Sequence, residues 1–182
     1  LFLSMGCSEQ PASVDHNPTP KWYKGNLHTH SYWSDGDDFP EMIMDWYKTN
    51  DYQFIALSDH NTLQEGEKWK KIPKSHIYEQ AFEDYRTKYG EEWVTYKKDS
   101  SGVQVKLKTA ADYVPKFQND NFLILKAEEI TDSFEGKPLH MNATNIQELI
   151  IPGHGNSVTE ALQNNIDAVN AQRKATGQPM IP

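Results

Sequence analysis

Phe54-Ile55-Ala56-Leu57-Ser58-Asp59-His60 is the stretch on which the architecture turns. Four apolar residues run straight into residues of a type that can ligate metals. A short, wholly apolar run suits a strand buried on both faces, as in a parallel sheet covered by helices. The same design recurs at Phe122-Leu123-Ile124-Leu125-Lys126-Ala127, which leads into Glu128 and Glu129, and around Leu139-His140-Met141-Asn142-Ala143. Upstream, a first strand is expected to end near Leu27-His28-Thr29-His30. Helical stretches separate these strands. Pro40 opens one, with Met42, Ile43, Trp46 and Tyr47 on one apolar face and a stop around Asn50. Ser157 and Glu160 form a capping box for another, containing Ala161, Leu162, Ile166 and Val169, and Gly177 supplies its stop. Pro179-Met180-Ile181-Pro182 then resembles the beginning of a further strand. Strands alternating with helices predict an α/β fold with a parallel sheet. In a βα barrel the C-terminal strand ends share one mouth, so ligand-type residues far apart in sequence can meet there.

The 182 residues, 37% hydrophobic and 24% charged, can bury one core and are expected to form one soluble domain. A net charge of -8 argues against a broad basic surface for nucleic acid. The single cysteine, Cys7, excludes an intrachain disulfide and a thiolate cluster, so a bound metal must rely on His, Asp and Glu. Leu1-Phe2-Leu3-Ser4-Met5-Gly6-Cys7 resembles the end of a bacterial lipoprotein signal peptide. That resemblance implies a lipid anchor at Cys7 and an extracytoplasmic place, in the periplasm or at the cell surface. Residues 8–21, rich in proline and polar groups, are expected to be a tether, with His16 an ordinary linker residue. No stretch is apolar over the ~18 residues that a membrane-spanning helix needs.

The chemistry centres on His28-Thr29-His30, followed by Ser34-Asp35-Gly36. Residues i and i+2 of a strand share a face, so both imidazoles can hold one ion. Asp35 follows in a turn, and Asp59-His60 follows the next strand. Taken together, Leu27-His28-Thr29-His30-Ser31, Ser34-Asp35-Gly36 and Leu57-Ser58-Asp59-His60-Asn61 resemble the first two signature blocks of the PHP (polymerase and histidinol phosphatase) family. Glu129 in Glu128-Glu129-Ile130-Thr131 resembles the third block, and His140 with Asn142 the fourth.

The resemblance covers residues 22–182, with an insertion at about 64–121. It implies a distorted (β/α)7 barrel, TIM-barrel-like, and two or three divalent ions that hydrolyse a small-molecule phosphate ester. His28 and His30 would hold the first ion, Glu129 would bridge to a second that also takes His140, and Asp35 and His60 would bind a third. Asp59 is expected to orient an imidazole by hydrogen bonding. Glu128 competes with Glu129 for the bridging place, and Glu129 is preferred because Ile130 and Thr131 follow it. A donor set of nitrogen and oxygen fits zinc, manganese or iron. The family pattern also needs a late His and an Asp-x-His, and no Asp-x-His occurs here. The expectation is therefore that this chain is the N-terminal portion of such a domain, and that it binds metal weakly and turns over little without the sequence beyond Pro182.

Lys68, Trp69, Lys70, Lys71, His76 and Arg86 in the insertion are expected on a solvated helix face, and His154 in Gly153-His154-Gly155-Asn156 in a surface loop. Two other classes stay open beside the phosphoesterase. An amidohydrolase-like enzyme would use the same activated water on a different bond, and a catalytically silent, surface-tethered binding protein would use the insertion for recognition.

Overall fold

A computed structural model describes residues 20–182. Cys7, His16 and nearly all of the 8–21 tether lie outside the described residues. Among those described the fold is mixed α/β, with four helices and a curled, half-barrel sheet. The sheet runs in the order β1 (Gly25–Asn26), β2 (Phe54–Leu57), β6 (Leu123–Phe134), β7 (Lys137–Thr144). β1, β2 and β6 are parallel, with Phe54 opposite Leu123 and Leu57 opposite Lys126.

α1 (Pro40–Thr49) starts at its proline and ends where the Asn50 N–H bonds back to Trp46 O, as its sequence predicts. Its face differs in part from the one expected. Met42, Ile43 and Tyr47 pack against the apolar clusters. Met44 and Glu41, however, are the fully buried residues and Trp46 is 54% exposed, because the helix packs on Ile55, Leu57, Tyr113 and Phe117 through the Met44 side. α4 (Val158–Thr176) is capped by Ser157, whose hydroxyl accepts from Glu160 N, and stops at Gly177 in the left-handed region (φ 70°).

One expectation about strands is refined and a second is corrected. The first strand ends at Asn26, just before the Leu27-His28-Thr29-His30 stretch at which its end is expected, because the Asn26 side chain accepts from His28 N (3.0 Å) and so takes that N–H from the ladder. The second concerns β6, which runs through Glu129 to Phe134 and folds back on β7 as an antiparallel hairpin, with Thr131 opposite His140. The two-residue turn is Glu135-Gly136, both at positive φ (49° and 74°), the conformation whose twist suits tight hairpins. His140 therefore arrives on a hairpin, not on another parallel strand. Ile181 bonds Thr144 in a single antiparallel bridge.

The segment between β2 and β6 folds as a second sheet, β3 (Trp69–Lys71), β5 (Gly102–Lys106), β4 (Tyr96–Asp99), antiparallel in that order, with α2 (His76–Tyr89) and α3 (Ala110–Phe117). Trp69, Lys70 and Lys71 thus lie on a strand, not on the helix face expected. Its apolar side, with Ile72, Phe82, Tyr85, Val94, Val105 and Leu107, encloses Tyr32, Trp33 and Phe39 from the loop after β1. No helix among the described residues is long and apolar enough to cross a membrane.

Phe39 is fully buried, stacked on Tyr85 at 3.9 Å and 9°, and meets Tyr32 edge-on at 4.8 Å. Phe39→Ala should therefore cost about 3–5 kcal/mol in urea unfolding, the range for large-to-small changes in a packed core. Ile77→Ala, at a 73% exposed position, should change stability by less than ~0.5 kcal/mol.

Candidate metal centre

β6 delivers Glu129 from the face opposite to Glu128 and Ile130, and four imidazoles from three other segments close on that carboxylate. His28 and His30 come from the coil after β1, His60 from the end of β2, where it bridges to Glu129, and His140 from β7. Glu129 Oε2 lies 3.0 Å from His28 Nε2, 2.6 Å from His30 Nε2 and 3.4 Å from His60 Nδ1, while Oε1 lies 3.0 Å from His140 Nδ1. Asp35 faces the other side of the pair formed by His30 and His60, with Oδ1 2.8 Å from His30 Nδ1 and Oδ2 3.4 Å from His60 Nε2. Three overlapping sets of donors result: His28, His30, Glu129; His30, Asp35, His60; and His60, Glu129, His140.

This donor set fits cations better than it fits a web of hydrogen bonds. A carboxylate oxygen has two lone pairs, yet three ring nitrogens crowd Glu129 Oε2 within 3.4 Å. His28 Nε2 and His30 Nε2 are 3.0 Å apart, close to the roughly 3.3 Å between two nitrogens that share a tetrahedral ion at 2.0–2.1 Å. Oxygen and nitrogen donors without sulfur suit zinc, manganese or iron. The carboxylates are held ionised. Burial works against the charge of Glu129, but the His28 contact and the charges of His60 and His28 outweigh it and lower its pKa. Asp35 is lowered in the same way, burial being overcome by His30 and His60.

Thr131 was not singled out for a role, although it stands two residues after Glu129 on the same strand face. Its hydroxyl is 2.5 Å from His60 Nδ1, which orients that ring with Nε2 towards Asp35, and lies 3.3 Å from His140 Nδ1.

Asp59 corrects an expectation. It is fully buried and touches no imidazole: Ser31 N, Ser31 Oγ, Ser34 Oγ and Gln64 Nε2 all donate to it at 2.6–2.8 Å. Its work is to tie the 31–34 turn to the end of β2, so that the segment bearing His30 and Asp35 lies over His60. Gly36 closes that turn. A Cβ there would sit 2.5 Å from the His30 carbonyl carbon and Ser31 N, which only glycine avoids.

The remaining candidates lie apart. Strand alternation turns Glu128 to the opposite face from Glu129, where one oxygen accepts from Ile150 N (2.6 Å) and the other has no partner. His76 starts α2 at an exposed position, and Arg86 pairs with Glu83 on the same helix. His154, 72% exposed, pairs with buried Asp132 (2.6 Å). No family model matches this chain, and comparison with curated proteins finds no match.

Burial raises the pKa of Glu128 from the ordinary 4.5 to about 7. Below 4.5 the folded and unfolded states both hold the proton. Between 4.5 and 7 only the folded state keeps it, so stability falls as pH rises, and above 7 the loss is constant. In the presence of chelator, Glu128→Gln should abolish that descent and raise stability at pH 8 by on the order of 2 kcal/mol. Urea unfolding at pH 4.5, 6 and 8 checks it, and an unchanged slope would contradict the account of Glu128.

Proposed function

We propose that this protein is a metal-dependent phosphoesterase of the PHP type, in which residues 22–182 form the N-terminal portion of a distorted (β/α)7 barrel. The observation that carries the proposal is the convergence of His28, His30, His60, His140 and Asp35 around Glu129 in three overlapping donor sets. Two or three divalent ions would be held there. His28, His30 and Glu129 would hold one, Glu129 with His140 a second, and Asp35 with His60, beside His30, a third, since each neutral imidazole has one lone pair to give. Cations in these positions would acidify a coordinated water from pKa 15.7 towards about 7 and offset the negative charge that builds on phosphoryl oxygens.

The chain's own residues then have separable tasks. Glu129 ties the donor sets into one centre, because its two oxygens face different imidazoles. Thr131 keeps His60 from rotating away from Asp35. Asp59 holds the turn that brings Asp35 within reach of His30 and His60. The substrate class is a small phosphate ester, since the net charge of -8 offers no broad attraction to a nucleic acid. With a lipid on Cys7 the enzyme would work outside the cytoplasm.

A panel of phosphomonoesters and phosphodiesters, assayed for phosphate or alcohol release, tests the proposal. Hydrolysis should be abolished by chelator and restored by zinc, manganese or iron. His28→Ala, His60→Ala and Glu129→Ala should each abolish it, since loss of a ligand's outer partner alone costs about 10–100-fold. His76→Ala and His154→Ala should retain most of it. Metal-dependent cleavage of amides without any release of phosphate would point to the amidohydrolase-like class. Bound ligand without turnover would point to a recognition protein.

A further inference from the structure

Asp35 is the most exposed donor of the centre, its side chain 68% accessible against 49% or less for the others. It stands on a tight turn in which Ser34 N and Gly36 N both bond Ser31 O at 3.0 Å. Those bonds close the turn from within and leave its outward carbonyls, Trp33 O and Ser34 O, with no main-chain donor. Both are taken by lysines of the inserted sheet. Lys68 Nζ donates to Trp33 O, and Lys70 Nζ donates to Ser34 O at 3.1 Å. The two side chains are two residues apart along an extended segment and so leave it on the same side. Each ammonium also lies over an aromatic ring of the turn, Lys70 at 5.0 Å from Tyr32 and Lys68 at 5.6 Å from Trp33.

The lysines are themselves anchored. Leu107 N donates to Lys68 O and Ile72 N to Val103 O, so the segment cannot slide against β5. Further bonds fasten the same loop: Trp33 Nε1 donates to Lys108 O at 3.0 Å, and Tyr78 Oη donates to Asp37 Oδ1 at 2.8 Å. The loop that bears Asp35 is thus gripped by β3, α2 and the end of β5, none of which contributes a donor to the centre.

We propose that Lys68 and Lys70 are positioning residues for Asp35, so that the inserted β3–α2–β4–β5 unit sets the affinity of the cation position formed by His30, Asp35 and His60. The inference rests on the metal-centre proposal and adds to it a role for the insertion. It also makes a prediction of sign. A lysine acting only through its charge repels a nearby cation, and neutralising it would tighten metal binding. A lysine that holds a ligand in place has the opposite effect when it is lost.

The probe is Mn2+ alone, titrated into the metal-stripped protein, with free ion read by electron paramagnetic resonance. Lys70→Met should weaken one binding step by about tenfold, the worth of one charge-assisted hydrogen bond, and leave the other steps as they are. Lys70→Arg keeps charge and donors and should restore it. Lys71→Met, on the same strand but exposed, should bind as the wild type does. Tyr78→Phe loses one exposed bond to the loop without disturbing the core. It should weaken the same step by about threefold, which keeps the test valid if Lys70→Met does not fold. Unchanged or tighter binding in Lys70→Met, or in Tyr78→Phe should that variant be the one that folds, overturns the proposal while the metal centre stands. Absence of Mn2+ binding in the wild type removes the metal centre, and this proposal with it.

Discussion

The carboxylate of Glu129, a 5% exposed residue on an inner strand of the curled sheet, is the point at which four separated stretches of chain meet. His28 and His30 follow β1, His60 follows β2, Glu129 lies in β6 and His140 in β7. Parallel pairing of β1, β2 and β6 brings the first three stretches to the same end of the sheet, and the hairpin returns His140 to it. Ring centroids then follow in a row, 5.0 Å from His28 to His30, 4.4 Å to His60 and 5.2 Å to His140. Three ring nitrogens within 3.4 Å of one carboxylate oxygen exceed its two lone pairs, and the groups so gathered could hold a metal ion.

A second buried carboxylate makes the first usable. Asp59 takes four hydrogen bonds, two from Ser31 and one each from Ser34 and Gln64, so its buried oxygens are all partnered by the turn and by Gln64. The ligand-bearing turn is consequently gripped on two sides, by Asp59 from the main sheet and by the lysines of the inserted sheet. Rigidity at the Asp35 turn comes from its surroundings, since no strand or helix runs through it.

The main sheet and its helices were legible where periodicity and capping spoke with one voice. Phe54–Leu57 is wholly apolar and became a central parallel strand, while Pro40 and Gly177 marked helix ends that the structure keeps. The hairpin was missed because its turn is Glu135-Gly136, a weaker signal than Asn-Gly or Asp-Gly, and because Lys137-Pro138 hides the alternation of β7. The inserted strands were missed for another reason. Trp69-Lys70-Lys71 and Tyr96-Lys97-Lys98-Asp99 carry charge where a strand pattern needs apolar residues, and their places are fixed by long-range packing on Tyr32, Trp33 and Phe39. The donors of the centre could be picked from the sequence because imidazoles and carboxylates at strand ends are chemically conspicuous. The partners that hold them could not, since Thr131 reaches His60 and Asp59 reaches Ser31 only through the fold.

The central claim is that Glu129 and its surrounding imidazoles hold divalent cations. Elemental analysis of the protein expressed in full and extensively washed, referred to protein concentration by amino-acid analysis, tests it most directly. The account predicts at least two equivalents of zinc, manganese or iron per chain, lost together in Glu129→Ala. A total below one equivalent, or the same content in Glu129→Ala as in the wild type, would contradict it.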